Sequence, residues 1–148
     1  MERQVKTVQS VTEIEAPPSR VWAILSDFSS YPQWNPFIKR IQGDAEPGKR
    51  LEVRIQAPGA KGMTFRPTVL AATPDKELRW LGHLLIPRLF DGEHQLLISQ
   101  LGDQRTRFTQ REVFSGLLVP FTGGILAKTE QGFVAMNEAL KKRAEGNG

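Results

Sequence analysis

The C-terminal part of the chain contains the only long segment in which apolar residues recur at helical spacing. Between residues 120 and 144 these positions are Leu126, Phe133, Met136 and Leu140, with Thr129 between them. The spacing predicts one long amphipathic helix, which needs an apolar surface to cover. The rest of the chain must supply that surface, so the fold is limited to architectures in which a helix packs on another layer.

Short segments with the composition of β-strands precede this helix and are separated by tight turns. The first covers residues 5–15 and ends at Pro17-Pro18. Further strands are predicted at residues 37–42, 51–55, 64–72, 77–82, 93–101 and 105–114. Because consecutive strands joined by short turns are normally antiparallel neighbours, these segments predict one antiparallel sheet.

Two short helical segments are expected between the first two strands. Residues 19–26 carry Val21, Ile24 and Leu25 at helical spacing, and residues 27–35 form a turn or a second short helix. The predicted fold class is therefore α+β: a curved antiparallel sheet of about six or seven strands wrapped around the long C-terminal helix, with two short helices after strand 1. No repeat, linker or low-complexity segment divides residues 1–148, which are predicted to form a single domain.

Composition excludes several classes of function. The chain has no cysteine and two histidines, His83 and His94, so disulfides, thiolate chemistry and the usual zinc sites are not expected. We expect neither a metal nor an organic cofactor. The net charge of +4 is scattered without a nucleic-acid-binding motif, so no nucleic acid is expected as a partner. The lack of a signal-peptide pattern or a long apolar span predicts a cytoplasmic protein with no stable membrane insertion.

Alternation along the strands predicts which side chains face the long helix. Arg105, Arg107 and Arg111 share one face of the last strand, and that face must be the solvated one. The same parity argument predicts a set of inward-facing side chains: Val53, Ile55, Trp80, His94, Leu96, Phe108, Gln110 and Glu112, and from the helix Thr129, Phe133 and Met136. An apolar surface holding a few polar groups is typical of a small-molecule site. The alternative to a ligand site is an ordinary hydrophobic core in which a buried polar pair is satisfied by hydrogen bonds.

The middle of the long helix carries small residues on its inner face. Thr129 and Gly132 lie where a filled core would hold a larger apolar side chain such as leucine. We therefore expect a space between the helix and the sheet at this level that admits a ligand.

Four segments carry a family resemblance: EAPPSRVW at residues 15–22, DFSSYPQWNP at 27–36, LFDGEH at 89–94 and REVFSG at 111–116. On these motifs the whole chain resembles the START-like, helix-grip superfamily, and within it the small bacterial polyketide cyclase or SRPBCC proteins. The resemblance implies a ligand cavity between the sheet and the C-terminal helix, with Trp34 near its mouth as a further ligand-binding residue. The alternative for Trp34 is that it fills the core, and Asn35-Pro36 is expected to shape a turn.

His94 and Glu112 are the one pair suited to general acid–base chemistry, because neighbouring strands can bring them together. A glutamate among apolar side chains has a raised pKa, which suits such a role. The alternative is a buried histidine–glutamate hydrogen bond that only satisfies both groups. Asp91 is expected in a loop, and His83 is expected at the rim or exposed.

Three functions remain open on the sequence. The first, which the residues favour, is the binding of a small hydrophobic ligand, lipid-like or aromatic and polyketide-like. The second is a metal-free cyclase or dehydratase that uses His94 and Glu112. The third is a co-chaperone-like interaction module, which requires a filled cavity and an apolar surface patch such as residues 84–90. Alternatively, that loop is a lid over the cavity mouth. The sequence also leaves open whether the protein forms a homodimer.

Overall fold

The computed structural model describes residues 4–83 and 88–146 and confirms the α+β fold class. Its elements in chain order are β1 Val5–Ile14, α1 Pro18–Ser26, a 3-10 turn Phe28–Ser30, α2 Tyr31–Trp34, β2 Ile38–Gln42, β3 Glu52–Ile55, β4 Met63–Phe65, β5 Thr68–Thr73, β6 Glu77–His83, β7 Asp91–Gly102, β8 Arg105–Ser115, a 3-10 turn Val119–Phe121 and α3 Gly123–Ala144. None of the helices in these ranges is both long and apolar enough to cross a membrane.

The strands are antiparallel and form two sheets, in the orders β1-β8-β7-β6-β5 and β2-β3-β4. A bridge between Arg50 and Thr68 joins the two, and the N–H of Leu51 donates to the carbonyl of Pro67 at 2.8 Å. The single strand predicted over residues 64–72 is therefore wrong, because the structure divides it into β4 and β5. Pro67 lies at the break, where it has no N–H to donate to a strand ladder.

Helix α3 covers the sheet with the face that its periodicity predicts. Phe133, Met136 and Leu140 are fully buried. The prediction that Gly132 leaves space is wrong, because the ring of Phe37 fills it. A Cβ atom on Gly132 would lie 2.3 Å from Cδ1 of Phe37, so α3 approaches the sheet this closely only because the position has no side chain.

The segment between α1 and β2 is held by buried hydrogen bonds to the backbone. The hydroxyl of Tyr31 donates to the carbonyl of Leu25 at 2.6 Å. The Oδ1 atom of Asn35 accepts from the N–H groups of Phe37 and Ile38, each at 2.9 Å. Asn35 therefore shapes the entry into β2, as turn chemistry predicts.

The basic residues at the end of α3 have local partners. The Nζ atom of Lys141 donates to the carbonyl of Glu13 at 3.0 Å and to Oε2 of Glu145 at 2.7 Å. Arg20, from α1, donates to the carbonyls of Arg143 and Ala144 at 3.2 and 3.3 Å. The carbonyls of Arg143 and Ala144 end the helix, where the guanidinium group of Arg20 donates to both, and Lys141 in the last turn complements the helix dipole.

Candidate functional site

A cavity of about 360 Å³ lies between the β3–β4 hairpin, strands β6 to β8 and the N-terminal half of α3. Most of its lining is apolar: Phe37, Val53, Ile55, Ala57, Ala60, Met63, Phe65, Pro67, Trp80, Phe90, Phe114 and Ile125. Two glycines, Gly82 and Gly92, add bare backbone to the wall. The polar lining residues are Lys61, His94, Glu112, Lys128 and Thr129. This balance, an apolar wall with few polar groups, is typical of a site for a small hydrophobic molecule.

The structure brings half of the predicted ligand-binding residues to this cavity. Those that line it are Val53, Ile55, Trp80, His94, Glu112 and Thr129. Leu96, Phe108, Gln110, Phe133 and Met136 face inward as predicted but are buried beneath the lining. Trp34 is half-buried in α2, where its ring packs edge-on against Tyr31 with centroids 5.2 Å apart, and it is not part of the lining.

Sequence reasoning missed the contribution of the β3–β4 hairpin. Ala57, Ala60, Lys61 and Met63 close one side of the cavity. The sequence predicts a turn between the strands at 51–55 and 64–72, but nothing in its composition indicates that this turn reaches the cavity. Helical spacing could have found two further lining residues. Ile125 and Lys128 precede Gly132 by seven and four positions, which puts them on the same face of α3.

His94 and Glu112 lie directly opposite each other on β7 and β8, as their strand positions predict. The distance from His94 Nδ1 to Glu112 Oε1 is 3.4 Å, and the two side chains are 1% and 12% exposed. The His94 ring is held by aromatic neighbours, with centroids 4.9 Å from Trp80 and 5.2 Å from Phe133. Among the described residues, His94 Nδ1 has no hydrogen-bond partner, so the 3.4 Å contact is not a formed hydrogen bond.

Burial shifts the pKa of both groups toward their neutral forms. Loss of hydration lowers the pKa of His94 to about 4, although its hydrogen bond to Gln110 acts in the opposite direction. Burial raises the pKa of Glu112 to about 8, and the nearby carboxylate of Glu93 raises it further. At neutral pH the cavity wall therefore holds a neutral imidazole beside a protonated carboxyl group.

A buried hydrogen-bond chain runs from β1 through α3 to His94. Asn137 Nδ2 donates to the backbone carbonyl of Ser10 at 3.1 Å, and Asn137 Oδ1 accepts from Gln110 Nε2 at 2.9 Å. Gln110 Oε1 lies 2.8 Å from His94 Nε2. Because a backbone carbonyl can only accept, the direction of every bond in the chain is determined. His94 must carry its hydrogen on Nε2, which leaves Nδ1 as a bare acceptor facing Glu112.

Asp91 is buried at the start of β7, and the prediction that it lies in a loop is wrong. Its Oδ1 atom is 2.7 Å from His83 Nδ1, and its carboxylate accepts from the backbone N–H of Arg88 at 3.2 Å. The pairing of β6 with β7 explains this position, because it places His83 directly opposite Asp91. His83 itself is exposed, as parity predicts. The predicted lid or interface at residues 84–90 falls mainly on residues 84–87, which lie outside the described ranges.

Comparison with known proteins identifies the family of this chain and solved structures that share its fold. A family profile described as polyketide cyclase / dehydrase and lipid transport matches residues 5–145. No curated protein matches the sequence. Several solved structures are similar. The Zhui aromatase/cyclase from a Streptomyces strain has a TM-score of 0.74 at 16% identity, with 96% of this chain and 94% of that chain covered.

Two further structures show how widely the fold is shared. A START superfamily protein from Mycobacterium smegmatis has a TM-score of 0.69 at 23% identity, covering 95% of this chain and 97% of its own. Norcoclaurine synthase from Thalictrum flavum, in complex with dopamine and hydroxybenzaldehyde, has a TM-score of 0.72 at 12% identity, covering 99% and 90%. At such identities the likeness establishes the fold alone, and chemistry must be argued from the site.

Proposed function

The chain belongs to the polyketide cyclase / dehydrase and lipid transport family, and from that premise we propose that it binds a small hydrophobic molecule, lipid-like or aromatic, between the sheet and α3. The observation that carries the proposal is the apolar cavity beside α3, whose wall includes Val53, Trp80 and Phe114. Its volume of about 360 Å³ falls in the range of roughly 300–1,000 Å³ found for small-molecule sites.

The cavity also separates this proposal from the interaction-module alternative. An interaction module of this fold has no need of internal space and is expected to fill it with side chains. Here the bare backbone of Gly82 and Gly92 and the short side chains of Ala57 and Ala60 keep the space open. Burial of an apolar ligand there contributes about 25 cal/mol for each Å² removed from water, which is a sufficient source of affinity.

A cyclase or dehydratase is the second candidate, and the pair formed by His94 and Glu112 favours it. The carboxyl group of Glu112 and the bare imidazole nitrogen of His94, 3.4 Å apart, can hold a proton between them at the cavity wall and exchange it with a ligand. Such a pair suits general acid–base chemistry on a bound ligand. Zhui, which shares the fold, is named as an aromatase/cyclase. Binding is required for either function, so the binding experiment comes first.

Thr129→Trp tests the binding proposal by filling the cavity from α3. Thr129 lines the cavity, whereas Gln131, two positions further along the same helix, is exposed and supplies the matched control Gln131→Trp. We expect wild type and Gln131→Trp to bind an uncharged apolar fluorescent probe such as N-phenyl-1-naphthylamine equally. Thr129→Trp should lose at least about tenfold in affinity while keeping its far-ultraviolet circular dichroism, since the indole ring takes the place of the ligand.

Two results would contradict binding in this cavity. One is a wild-type protein that retains no small molecule in native mass spectrometry and binds no apolar probe. The other is probe binding that Thr129→Trp leaves unchanged, which would place the probe elsewhere on the surface. The enzyme alternative needs a further result, namely a chemical change in a bound ligand that Glu112→Gln abolishes while binding persists.

A further inference from the structure

Among the polar side chains of the described cavity lining, Glu112 is the one that is neither exposed nor hydrogen-bonded, since His94 is already bonded to Gln110. Lys61 and Lys128 are exposed, so their charged groups remain in water. The hydroxyl of Thr129 already donates to the carbonyl of Ile125 at 2.8 Å. Among the described residues Glu112 makes no hydrogen bond, and its one polar contact is the 3.4 Å approach to His94. A polar ligand group that enters the cavity therefore meets this carboxyl group.

The hydrogen-bond chain determines which oxygen of Glu112 carries or shares a proton. His94 presents a bare Nδ1 because Gln110 accepts the hydrogen of its Nε2. A hydrogen on Oε1 points at the bare Nδ1 and needs only a small approach of the two atoms from 3.4 Å to form a hydrogen bond, whereas a hydrogen on Oε2 leaves two lone pairs facing each other, so the arrangement with a proton between Nδ1 and Oε1 is the favoured one. That proton belongs either to a carboxylic acid or to an imidazolium ion. In both cases Oε2 of Glu112 has no hydrogen and can only accept.

Gly92 shows where this Oε2 atom lies. A Cβ atom built on Gly92 would be 2.7 Å from Oε2 and 3.7 Å from the ring of Phe114. Gly92, Glu112 and Phe114 all line the cavity, so Oε2 occupies the space over the bare backbone of β7 on the cavity side. A ligand that fills the cavity thus contacts a hydrogen-bond acceptor surrounded by apolar groups, where an unpaired acceptor is costly.

We infer that the cavity selects, among hydrophobic molecules, those that carry a hydroxyl group, such as a phenol, an enol or an alcohol, which donates a hydrogen bond to Oε2 of Glu112. The inference rests on the proposed function, because it names the class of ligand for the same cavity. A methyl ether or a ketone of the same shape offers only acceptors and leaves Oε2 without a partner. The cavity discriminates against the ether and the ketone because they leave this buried acceptor unpaired, as in other sites built around a ligand hydroxyl.

The experiment compares 2-naphthol with 2-methoxynaphthalene by calorimetric titration at pH 6.5 in wild type, Glu112→Gln and Glu112→Leu. Wild type should bind 2-naphthol at least about tenfold more tightly, a ratio typical of one buried hydrogen bond. Glu112→Gln should keep the preference, because its amide N–H can donate to His94 Nδ1 while its carbonyl oxygen still accepts. Glu112→Leu should bind both compounds with similar affinity, which also controls for the extra methyl group.

The outcomes distinguish this inference from the function on which it rests. If wild type binds both compounds equally, or prefers the ether, the hydroxyl selection is overturned and ligand binding stands. If wild type binds neither of them nor unsubstituted naphthalene, binding and selection both fail. A measurement on the ligand-free protein tests the hydrogen-bond chain directly, because the nuclear magnetic resonance chemical shifts of the ring nitrogens report the tautomer of His94. A neutral His94 ring protonated on Nδ1 alone would overturn the inference, whereas a hydrogen on Nε2 supports it.

Discussion

Gly82 and Gly92 lie directly opposite each other on β6 and β7, and both line the cavity. Their surroundings differ. A Cβ atom on Gly82 would make only an ordinary contact, 3.7 Å from Cβ of Pro67, whereas one on Gly92 would lie 2.7 Å from Oε2 of Glu112. The absence of a side chain at Gly92 is thus what allows the Glu112 carboxyl group to lie against the strand beside His94.

Gly92→Ala should displace the carboxyl group of Glu112 and reduce the preference of the cavity for 2-naphthol over its methyl ether. The loss of stability should stay below about 1 kcal/mol, because the group that must move is the end of a flexible side chain. Gly82→Ala is the matched control and should leave the preference unchanged. Calorimetric titration and thermal unfolding of both variants check this, and an equal effect of the two substitutions would contradict the role assigned to Gly92.

Gly132→Ala should destabilise the fold by about 1–3 kcal/mol, the usual cost of overpacking a core. The ring of Phe37 is buried and packs edge-on against Phe133 with centroids 5.6 Å apart, so it has little room to yield. Gly124→Ala, near the start of the same helix, meets nothing within 4 Å and should be stabilising by up to about 1 kcal/mol. Urea unfolding of both variants measures the difference, and equal stabilities would contradict the close contact at Gly132.

The sequence predicted the strands around His94 and Glu112 well because their local patterns are strong. The arginines of β8 identify its solvated face, and strict alternation then turns Phe108 and Glu112 inward. Short turns make β7 and β8 neighbours, so their strand positions were enough to place the pair side by side. Local composition and chain order determined this part of the site.

The parts that the sequence did not predict depend on contacts between distant residues. Whether Gly132 leaves space is decided by Phe37, which is remote in sequence and reaches the same region from the position just before β2. The tautomer of His94 depends on Asn137 and on the carbonyl of Ser10, which reach it from α3 and β1. No spacing rule within one segment reports on such contacts, because they form only when the helix settles on the sheet.

Asn35→Ala should cost about 1–3 kcal/mol of stability, because two buried backbone N–H groups, those of Phe37 and Ile38, lose their acceptor. Asn35→Asp keeps an acceptor oxygen in the same place and should be less harmful than the alanine variant. Chemical denaturation of the two variants beside wild type provides the comparison. If alanine is tolerated as well as aspartate, the side chain of Asn35 does not hold the start of β2.

The shifted pKa values of Glu112 and His94 make the stability of the fold depend on pH in opposite ways. Burial raises the pKa of Glu112 from 4.5 to about 8, so its contribution is fully present below pH 4.5 and is lost as the pH rises through 8. Burial lowers the pKa of His94 from 6.5 to about 4, so stability is lost as the pH falls from 6.5 toward 4. Between pH 4.5 and 6.5 the two opposite effects on the free energy of unfolding cancel, and above pH 6.5 the titration of Glu112 dominates.

We therefore expect the free energy of unfolding to decline by about 1 kcal/mol between pH 6.5 and 8, since one extra proton on the folded state changes stability by about 1.4 kcal/mol per pH unit and Glu112 loses that proton progressively toward pH 8. Glu112→Gln removes the titrating group and should abolish this decline, while the rise between pH 4 and 6.5 that His94 causes should become visible. Urea titrations of both proteins across this range make the measurement. Parallel profiles above pH 6.5 would show that the carboxyl group of Glu112 is already ionised in the folded protein.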